Sequence, residues 1–600
     1  MSAFLCLLDR SGAAVDPREL GRLAEPLASY GAELATYCRG PLGIALRHRG
    51  GPGARERHGP LVDPATGRVA AVAGRFRGID EPPGVAPATP EPGGCAAQAL
   101  ARSAEGGLGF LGAVSGPFTV LVAEPGGGSL TLARDHLGSL KVYYFLDSRW
   151  LIAASEPAAI LRHAAVSDEL DETSIARFLG FRFGPSEQSF FRRIRELPPA
   201  HRLDVTAGGA RTEQYWRFRR LPPGGQGSPE EITEDFRRRL GRAVADDVAG
   251  LEPGRVALSL SGGLDSTALA ALAPPGVRAF SWHFDETPEA DERSRVEEVS
   301  RRLELPIHWV RGDGLYPLSG DFAERFGHES SPYLNPFSAL KCRLYRAARD
   351  AGCERVLVGD GGDALYAARE YWLRDALLGG RPGALASLAA TLRRAARGDR
   401  FARLALRRLL PLRGLGRRLR PPSPWLTEAA RAVLPRPAPS PILPPGRQGA
   451  RYELSVGARH IELESEERRL FALCGVGRGN PFWSWPLLET AIQLPAEWYH
   501  RDGRTKVLTR EALRGRLPEA VLESERAGLL GGFFLRGIEA RREELRETVF
   551  RRPRSDWRRY VRAEWLEPFL SATRSIAFGH TILWRVIGYE LWHRRLIRRA

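Results

Sequence analysis

Leu258-Ser-Leu-Ser-Gly-Gly-Leu-Asp-Ser-Thr267 is the stretch on which the reading of this chain turns. A short β-rich run, 255–260, leads into it and a helical pattern, 267–272, opens from it, so its glycines fall at a strand tip. Gly262 and Gly263 let the backbone turn tightly with N–H groups facing inward. Ser261, Ser266 and Thr267 add hydroxyl donors, and the helix N-terminus adds a positive dipole. Together Leu258, Ser259, Ser261, Gly262, Gly263, Leu264, Asp265, Ser266 and Thr267 predict a pyrophosphate cradle. No G-K-[ST] follows and the stretch itself is not G-x-G-x-x-G, so it is neither of the two commoner phosphate loops. Asp265 alone would repel a phosphate, so its presence predicts an intervening cation, for which Mg²⁺ is suited.

Working outward, strand and helix patterns alternate: strands at 277–284, 307–310 and 355–358, helices at 289–303 and 338–351. That order predicts a parallel sheet with helices on both faces, binding its ligand beyond the carboxyl ends of the strands. The strand at 355–358 runs into Gly359-Asp-Gly-Gly-Asp363. A second loop with two carboxylates beside glycines, in the same sheet, suits a second Mg²⁺ ligand, Asp363, facing Asp265. Gly359, Asp360, Gly361 and Gly362 complete the nucleotide-binding set.

The first two hundred residues read differently, as short apolar strands broken by turns such as Pro125-Gly-Gly-Gly128, a mostly β, layered domain. The run 221–229, Leu221-Pro-Pro-Gly-Gly-Gln-Gly-Ser-Pro229, has linker composition, and Ser228 with Glu231 forms a capping-box pattern for the next helix. Domains are therefore expected at 1–220 and 230–600, a multidomain α/β protein. An Arg-rich, then Pro-rich insertion is expected at about 374–450, with 13 Arg against two Asp between 374 and 420. It is read as a helical insertion or as a docking surface for an acidic partner.

With 43% hydrophobic and 26% charged residues the chain is globular, and no run of eighteen apolar residues predicts a membrane span. Net charge is +17. Yet only Lys141, Lys341 and Lys506 are lysines, which points to a bias toward arginine rather than to nucleic-acid binding. The six cysteines are scattered without C-x-x-C spacing, and are read as reduced thiols of a cytoplasmic protein with no zinc site.

These two loops make the chain resemble the asparagine-synthetase-like branch of the ATP-pyrophosphatase (PP-loop) superfamily, whose S-G-G-x-D-S signature stands at Ser261–Ser266 and whose G-x-G-x-D loop stands at Gly359–Asp363. The resemblance implies a carboxylate attacking the α-phosphorus of ATP, release of pyrophosphate, and capture of the acyl-adenylate by an amine. It implies ATP and Mg²⁺ as cofactors, and adenine-side contacts from Val256, Leu258 and Phe280 or Ser281. Leu132–Tyr144 and Ala153–Glu156 look like the family's amidotransferase-fold strands. Arg478–Phe482 and Asp502–Ala512 resemble its C-terminal segments. Where the family presents a lysine that stabilises charge on the adenylate, register from Leu517 gives Arg526, with Lys506 as the alternative. Glu329 falls where the family often carries an acidic group near the amine path and is read as a general base.

The family's glutaminase needs a cysteine directly after the initiator Met, whereas this chain has Ser2, with Cys6 out of register within a strand. A hydroxyl is the poorer nucleophile, so the N-terminal domain is expected to pack without making ammonia. Such a chain resembles the lasso-peptide macrolactam synthetases (lasso cyclases), in which a precursor peptide supplies both carboxylate and amine, with a leader-binding protein and a leader peptidase as partners. The alternatives are a small-molecule amide ligase, either asparagine-synthetase-like using free ammonia or β-lactam-synthetase-like, and a non-catalytic nucleotide-binding scaffold.

Overall fold

The computed structural model describes residues 2–49, 58–77, 94–182, 187–219, 227–319, 330–365, 373, 377, 384–397, 403, 406, 423–435, 458–495, 498–501, 504–524, 530–552, 555–571 and 578–597. Its first strand, Ser2–Asp9, is buried along its whole length. Alternation explains how. Phe4, Cys6 and Leu8 enter one core with Ile44, Leu121 and Leu132, whereas Ala3, Leu5 and Leu7 enter another with Leu20, Leu23 and Ile175.

Two six-stranded antiparallel sheets stack on that first core. One runs Arg195–Glu196, Tyr143–Leu146, Trp150–Ala154, Ser2–Asp9, Leu42–His48, Glu33–Arg39. The other runs Gly209–Gln214, His201–Thr206, Ser129–Arg134, Phe118–Ala123, Val69–Gly74, Leu61–Val62. The outer face of the second sheet packs Ala70, Val72 and Val120 on Ala96 and Ala99 of the helix Gly94–Gly106. The result is the layered β domain that the alternating patterns predict.

The helix Pro229–Val248 starts at a capping box in which Ser228 and Glu231 satisfy each other's backbone N–H groups. A five-stranded parallel sheet follows, in the order Ile307–Arg311, Arg278–His283, Val256–Ser259, Arg355–Leu357, Gly477–Gly479. Helices cover both faces. Val256 and Leu258 pack on Ala268 and Val296 on one side, while Ala257 and Val356 pack on Leu344 and Ala348 on the other. The chain leaves the middle strand in one direction for two strands, then crosses over to Arg355–Leu357. The strand order thus reverses between Val256–Ser259 and Arg355–Leu357, and the two glycine loops emerge side by side at that switch point.

Two expectations are corrected here. The strand Gly477–Gly479 was not foreseen, because Gly-Arg-Gly carries no strand-forming side chain. The reduced-thiol reading fails for one pair: Cys342 and Cys474 are joined in a disulfide, while Cys6, Cys38, Cys95 and Cys353 are free. The helices Ser338–Asp350 and Ala458–Cys474 bring the pair together, with Tyr345 stacked on Phe471 at 4.0 Å. Of the 374–450 insertion, the described residues include the helices Ala384–Ala396 and Glu428–Ala432, and most of the rest lies outside them. Among the described residues no helix is long and apolar enough to cross a membrane.

Candidate active site

The helix Leu264–Leu272 begins at Gly263 without any side-chain cap, so its first turn presents backbone N–H groups and the positive end of its dipole. The hydroxyls around it act otherwise than expected. Thr267 Oγ1 donates to the Gly263 carbonyl at 2.8 Å, and Ser266 Oγ accepts the Ser261 N–H at 3.0 Å and lies 2.9 Å from Ser261 Oγ. Ser266 and Thr267 are buried, and these hydrogen bonds tie the loop to the start of the helix.

The second loop approaches so closely that a side chain at its glycines would have to displace a neighbour. A Cβ on Gly359 would stand 2.9 Å from the Ser266 nitrogen, and one on Gly362 would stand 2.3 Å from the Asp265 carboxyl carbon. Gly361, at φ +93°, makes the turn between them in the left-handed region.

Into the cleft so formed comes Lys506. Its ammonium lies 2.6 Å from Asp265 Oδ2 and 3.0 Å from Asp363 Oδ1, joining the two loops. A short hairpin, His500–Arg501 with Arg504–Thr505, delivers it at the start of the helix Val507–Ala512, whose Val507 and Leu508 are buried. Burial, opposed by Lys506 and reinforced by Asp363 and Asp360, raises the Asp265 pKa from 3.8 to about 6. Burial also works against the Lys506 charge, but Asp265 and Asp363 outweigh it and raise its pKa.

Asp265 Oδ1 is buried with no hydrogen-bond partner among the described residues. An unsatisfied carboxylate oxygen there, with Asp363 across the cleft, fits a Mg²⁺ that takes one or two carboxylates and completes its shell from phosphate oxygens and water. Among the described residues no group of three or more His, Cys, Asp or Glu stands close enough to hold a metal ion by itself.

Asp360 turns the other way. Arg478 Nη1 donates to its Oδ2 at 3.0 Å, and Lys341 Nζ stands 4.0 Å from the same oxygen. Burial opposes its charge, yet Lys341 and Arg478 hold it below the usual carboxylate range. Arg478 is clamped by Glu464, which also accepts from Asn480, and Lys341 donates to Glu467 at 2.7 Å. Lys341, Glu464 and Glu467 were missed in the sequence. The scarcity of lysine was the one signal that pointed to Lys341.

The residues expected on the adenine side lie in two neighbouring strands, with their side chains turned into the core. Val256, Leu258 and Phe280 are core residues, Phe280 stacking on His308 at 4.7 Å, and Ser281 is buried. Helices on both faces leave these strands only their tips for a ligand, where Ser259 is half-buried. Arg526 and Glu329 lie outside the described residues. In the N-terminal domain, Ser2 is buried and its hydroxyl accepts the Gly74 N–H at 2.8 Å, and Cys6 is enclosed between the sheets, where burial pushes its thiol pKa up.

Residues 235–594 match the asparagine synthase family, more than half of the chain. The chain belongs to that family. Residues 99–216 match the glutamine amidotransferase domain, which agrees with the layered β architecture. Among curated proteins this family member is similar to "Amidase chyE" of Penicillium rubens, 26% identical over 293 residues, covering 45% of this chain and 42% of the relative. It is also similar to asparagine synthetase [glutamine-hydrolyzing] 3 of Bacillus subtilis, 28% identical over 165 residues, covering 27% and 26%. To asparagine synthetase [glutamine-hydrolyzing] 2 of the same organism it is 25% identical over 285 residues, covering 43% and 37%. The matched part thus spans less than half the length of each of these relatives.

Proposed function

We propose that this member of the asparagine synthase family is an ATP-dependent carbon–nitrogen ligase that converts a carboxylate to its adenylate, with release of pyrophosphate, and joins it to an amine. The observation that carries the reading is the convergence of Asp265 and Asp363, from adjacent strand tips, on one cation-sized position beside an uncapped helix N-terminus. Mg²⁺ held there by Asp265 and Asp363 supplies charge neutralisation for the departing pyrophosphate. The first turn of Leu264–Leu272 binds the phosphates, and the close fit of Gly359 and Gly362 fixes the two loops. Lys506, or Arg526 on sequence grounds, supplies positive charge to the adenylate, and Glu329 takes the proton of the attacking amine.

The amine is assigned to the substrate. Ser2 stands where a glutaminase would carry its cysteine, its hydroxyl occupied by the Gly74 N–H, and Cys6 is buried in the sheet. A substrate that brings its own amine favours closure of a peptide macrolactam in the manner of a lasso cyclase, with a precursor peptide as substrate, a leader-binding protein and leader peptidase as partners, and the cytoplasm as its place of action. A small-molecule amide ligase using free ammonia is the second reading, since relatives named asparagine synthetase share the matched region.

The test is direct. Protein incubated with ATP, Mg²⁺ and a candidate precursor peptide is expected to yield AMP, pyrophosphate and a product lighter than the peptide by the mass of one water. D265N and D363N should each abolish pyrophosphate release with the fold intact. Formation of ADP and phosphate, or hydrolysis of glutamine, would overturn the respective half of the proposal.

A further inference from the structure

Between residues 461 and 469 the helix Ala458–Cys474 turns charge inward. Glu464, Glu467, Arg468 and Arg469 are each less than one-tenth exposed, whereas Leu463 is 47% exposed. The buried charges are paired: Glu464 with Arg468 and Arg478, Glu467 with Lys341, Arg469 with Glu156 and Glu466. Burying charge is costly, and a buried ion pair is often no more stabilising than apolar side chains of the same volume. What such a face supplies is geometry, because paired charges fix the places of the groups they join.

The helix has partners of two kinds. Some belong to the N-terminal domain: Lys141 Nζ lies 2.8 Å from Glu462 Oε1, Arg469 Nη2 lies 2.7 Å from Glu156 Oε2, and Arg49 donates to the carbonyl of Gly475, just past the helix end. Others lead to the second glycine loop. Glu467 accepts from Lys341 at 2.7 Å and Glu464 from Arg478 at 2.6 Å. Arg478 in turn donates to Asp360 at 3.0 Å, and Lys341 stands 4.0 Å from the same carboxylate oxygen. Glu462, Glu464 and Glu467 lie within about one and a half turns of a single helix. Paired charges therefore run from the N-terminal domain to Asp360, in the loop that also holds Gly362 against Asp265 and carries Asp363.

We propose that the N-terminal domain serves the other half of the chain as a brace, and that Lys141 and Glu462 are positioning residues for the loop Gly359–Asp363. This rests on the ligase reading of that loop. The domain fixes the helix Ala458–Cys474, the helix fixes Arg478 and Lys341, and these two fix Asp360. The loop so held keeps Gly362 packed on Asp265 and Asp363 at its working distance, a spacing on which the rate depends steeply. Lys141 and Glu462 act through the loop and not on the substrate. A domain whose Ser2 hydroxyl is taken by the Gly74 N–H, and whose Cys6 is buried, thereby keeps a part in the reaction.

K141M/E462M separates positioning from folding. It removes one ion pair whole, while Glu196, the second partner of Lys141, keeps Arg134 at 2.8 Å, so the thermal midpoint should stay close to wild type. Hydrogen–deuterium exchange of the nucleotide-free full chain, read by mass spectrometry, should run roughly threefold or more faster than wild type across residues 357–365 and at the wild-type rate across 118–134. The kcat for pyrophosphate release should fall roughly tenfold with little change in KM for ATP. K341M cuts the same run at its other end and should reproduce the faster exchange, and adding it to K141M/E462M should cost little more. R192A, in an exposed pair of the same domain, should change neither readout. Should K141M/E462M fail to fold, E462Q, which removes the charge and keeps the shape, carries the same test. Loop exchange equal to wild type overturns the brace, as does faster exchange with unaltered kcat, or a fully additive loss on combining the two ends. Exchange needs no turnover, so the two failures separate: a wild type that releases no pyrophosphate sinks the ligase reading and the catalytic meaning of the brace with it, whereas an active wild type with an unaltered loop in the variants sinks the brace alone.

Discussion

Gly362 lies against Asp265 so closely that a Cβ at position 362 would sit 2.3 Å from the Asp265 carboxyl carbon and 2.4 Å from its Oδ2. The contact joins two loops from neighbouring strands and sets how far apart their carboxylates stand. Gly362 opens the short helix Gly362–Leu365, a conformation that alanine tolerates, so G362A should leave the fold unharmed and push the Asp265 carboxylate aside. Displacement of a catalytic group by about 1 Å costs on the order of a hundredfold in rate. Pyrophosphate release by G362A is expected to fall by roughly that factor, with an unchanged circular dichroism spectrum. Turnover at the wild-type rate would mean that the loop spacing does not govern the chemistry.

Both glycine loops were legible because each is a continuous stretch whose glycines, acids and strand context can be read in place, as in Ser261–Ser266 and Gly359–Asp363. The cluster around Asp360 was not. Arg478 is 118 residues from Asp360, and Lys341 is 126 residues from Glu467, so only the folded sheet and the helix Ala458–Cys474 assemble it. The strand Gly477–Gly479 was invisible for a related reason. It forms because a glycine is needed beside its neighbour, a Cβ on Gly479 standing 2.4 Å from Leu357, and not because its residues favour strands. Leu258 and Phe280 were placed in the right strands, but a sheet covered on both faces buries their side chains.

His136 makes a pH prediction. Its ring meets Trp216 edge-on at 4.8 Å and lies near Tyr215, Phe118 and Trp485, across the seam between the two halves of the chain. Burial pulls its pKa from 6.5 to about 3, and neither ring nitrogen has a hydrogen-bond partner among the described residues. The unfolded chain takes up a proton near pH 6.5 while the folded chain does not, so this contribution to stability is complete above that pH and is lost as pH falls toward 3. At pH 5 the loss amounts to about 2 kcal/mol. Thermal midpoints of wild type and H136F, measured from pH 8 to pH 5, should therefore converge toward acid. Parallel curves would show that the ring is protonated without penalty in the folded protein.

The disulfide gives a count. Cys342 and Cys474 lie 5.8 Å apart at their Cα atoms, on helices that the Tyr345–Phe471 stack already holds together, so pairing requires little rearrangement. In denaturant without reductant, protein purified under non-reducing conditions should titrate as four thiols, those of Cys6, Cys38, Cys95 and Cys353, and as six after reduction. Six thiols before reduction would show the pair to be open in the isolated protein.

Asp247 ties the two halves of the chain together through buried charge. It ends the helix Pro229–Val248, is fully buried, and lies 2.5 Å from both Arg75 and Arg77, which follow the strand Val69–Gly74, while Arg355 donates to its carbonyl. Burial opposes its charge, but Arg77 and Arg75 hold its pKa down. Removing the acid leaves Arg77, whose side chain is 2% exposed, without the carboxylate it is bonded to in a dry environment. D247A should accordingly cost about 3–5 kcal/mol, seen as a large fall in the denaturation midpoint. R77M/D247L, which removes both charges and keeps apolar bulk, should recover much of it. The exposed pair Arg192–Glu169 is the control, and R192A should cost under about 1 kcal/mol. If D247A behaved like R192A, the seam would have to be held by its aromatic contacts around His136, and the three arginines would be bystanders to a carboxylate that the fold does not need.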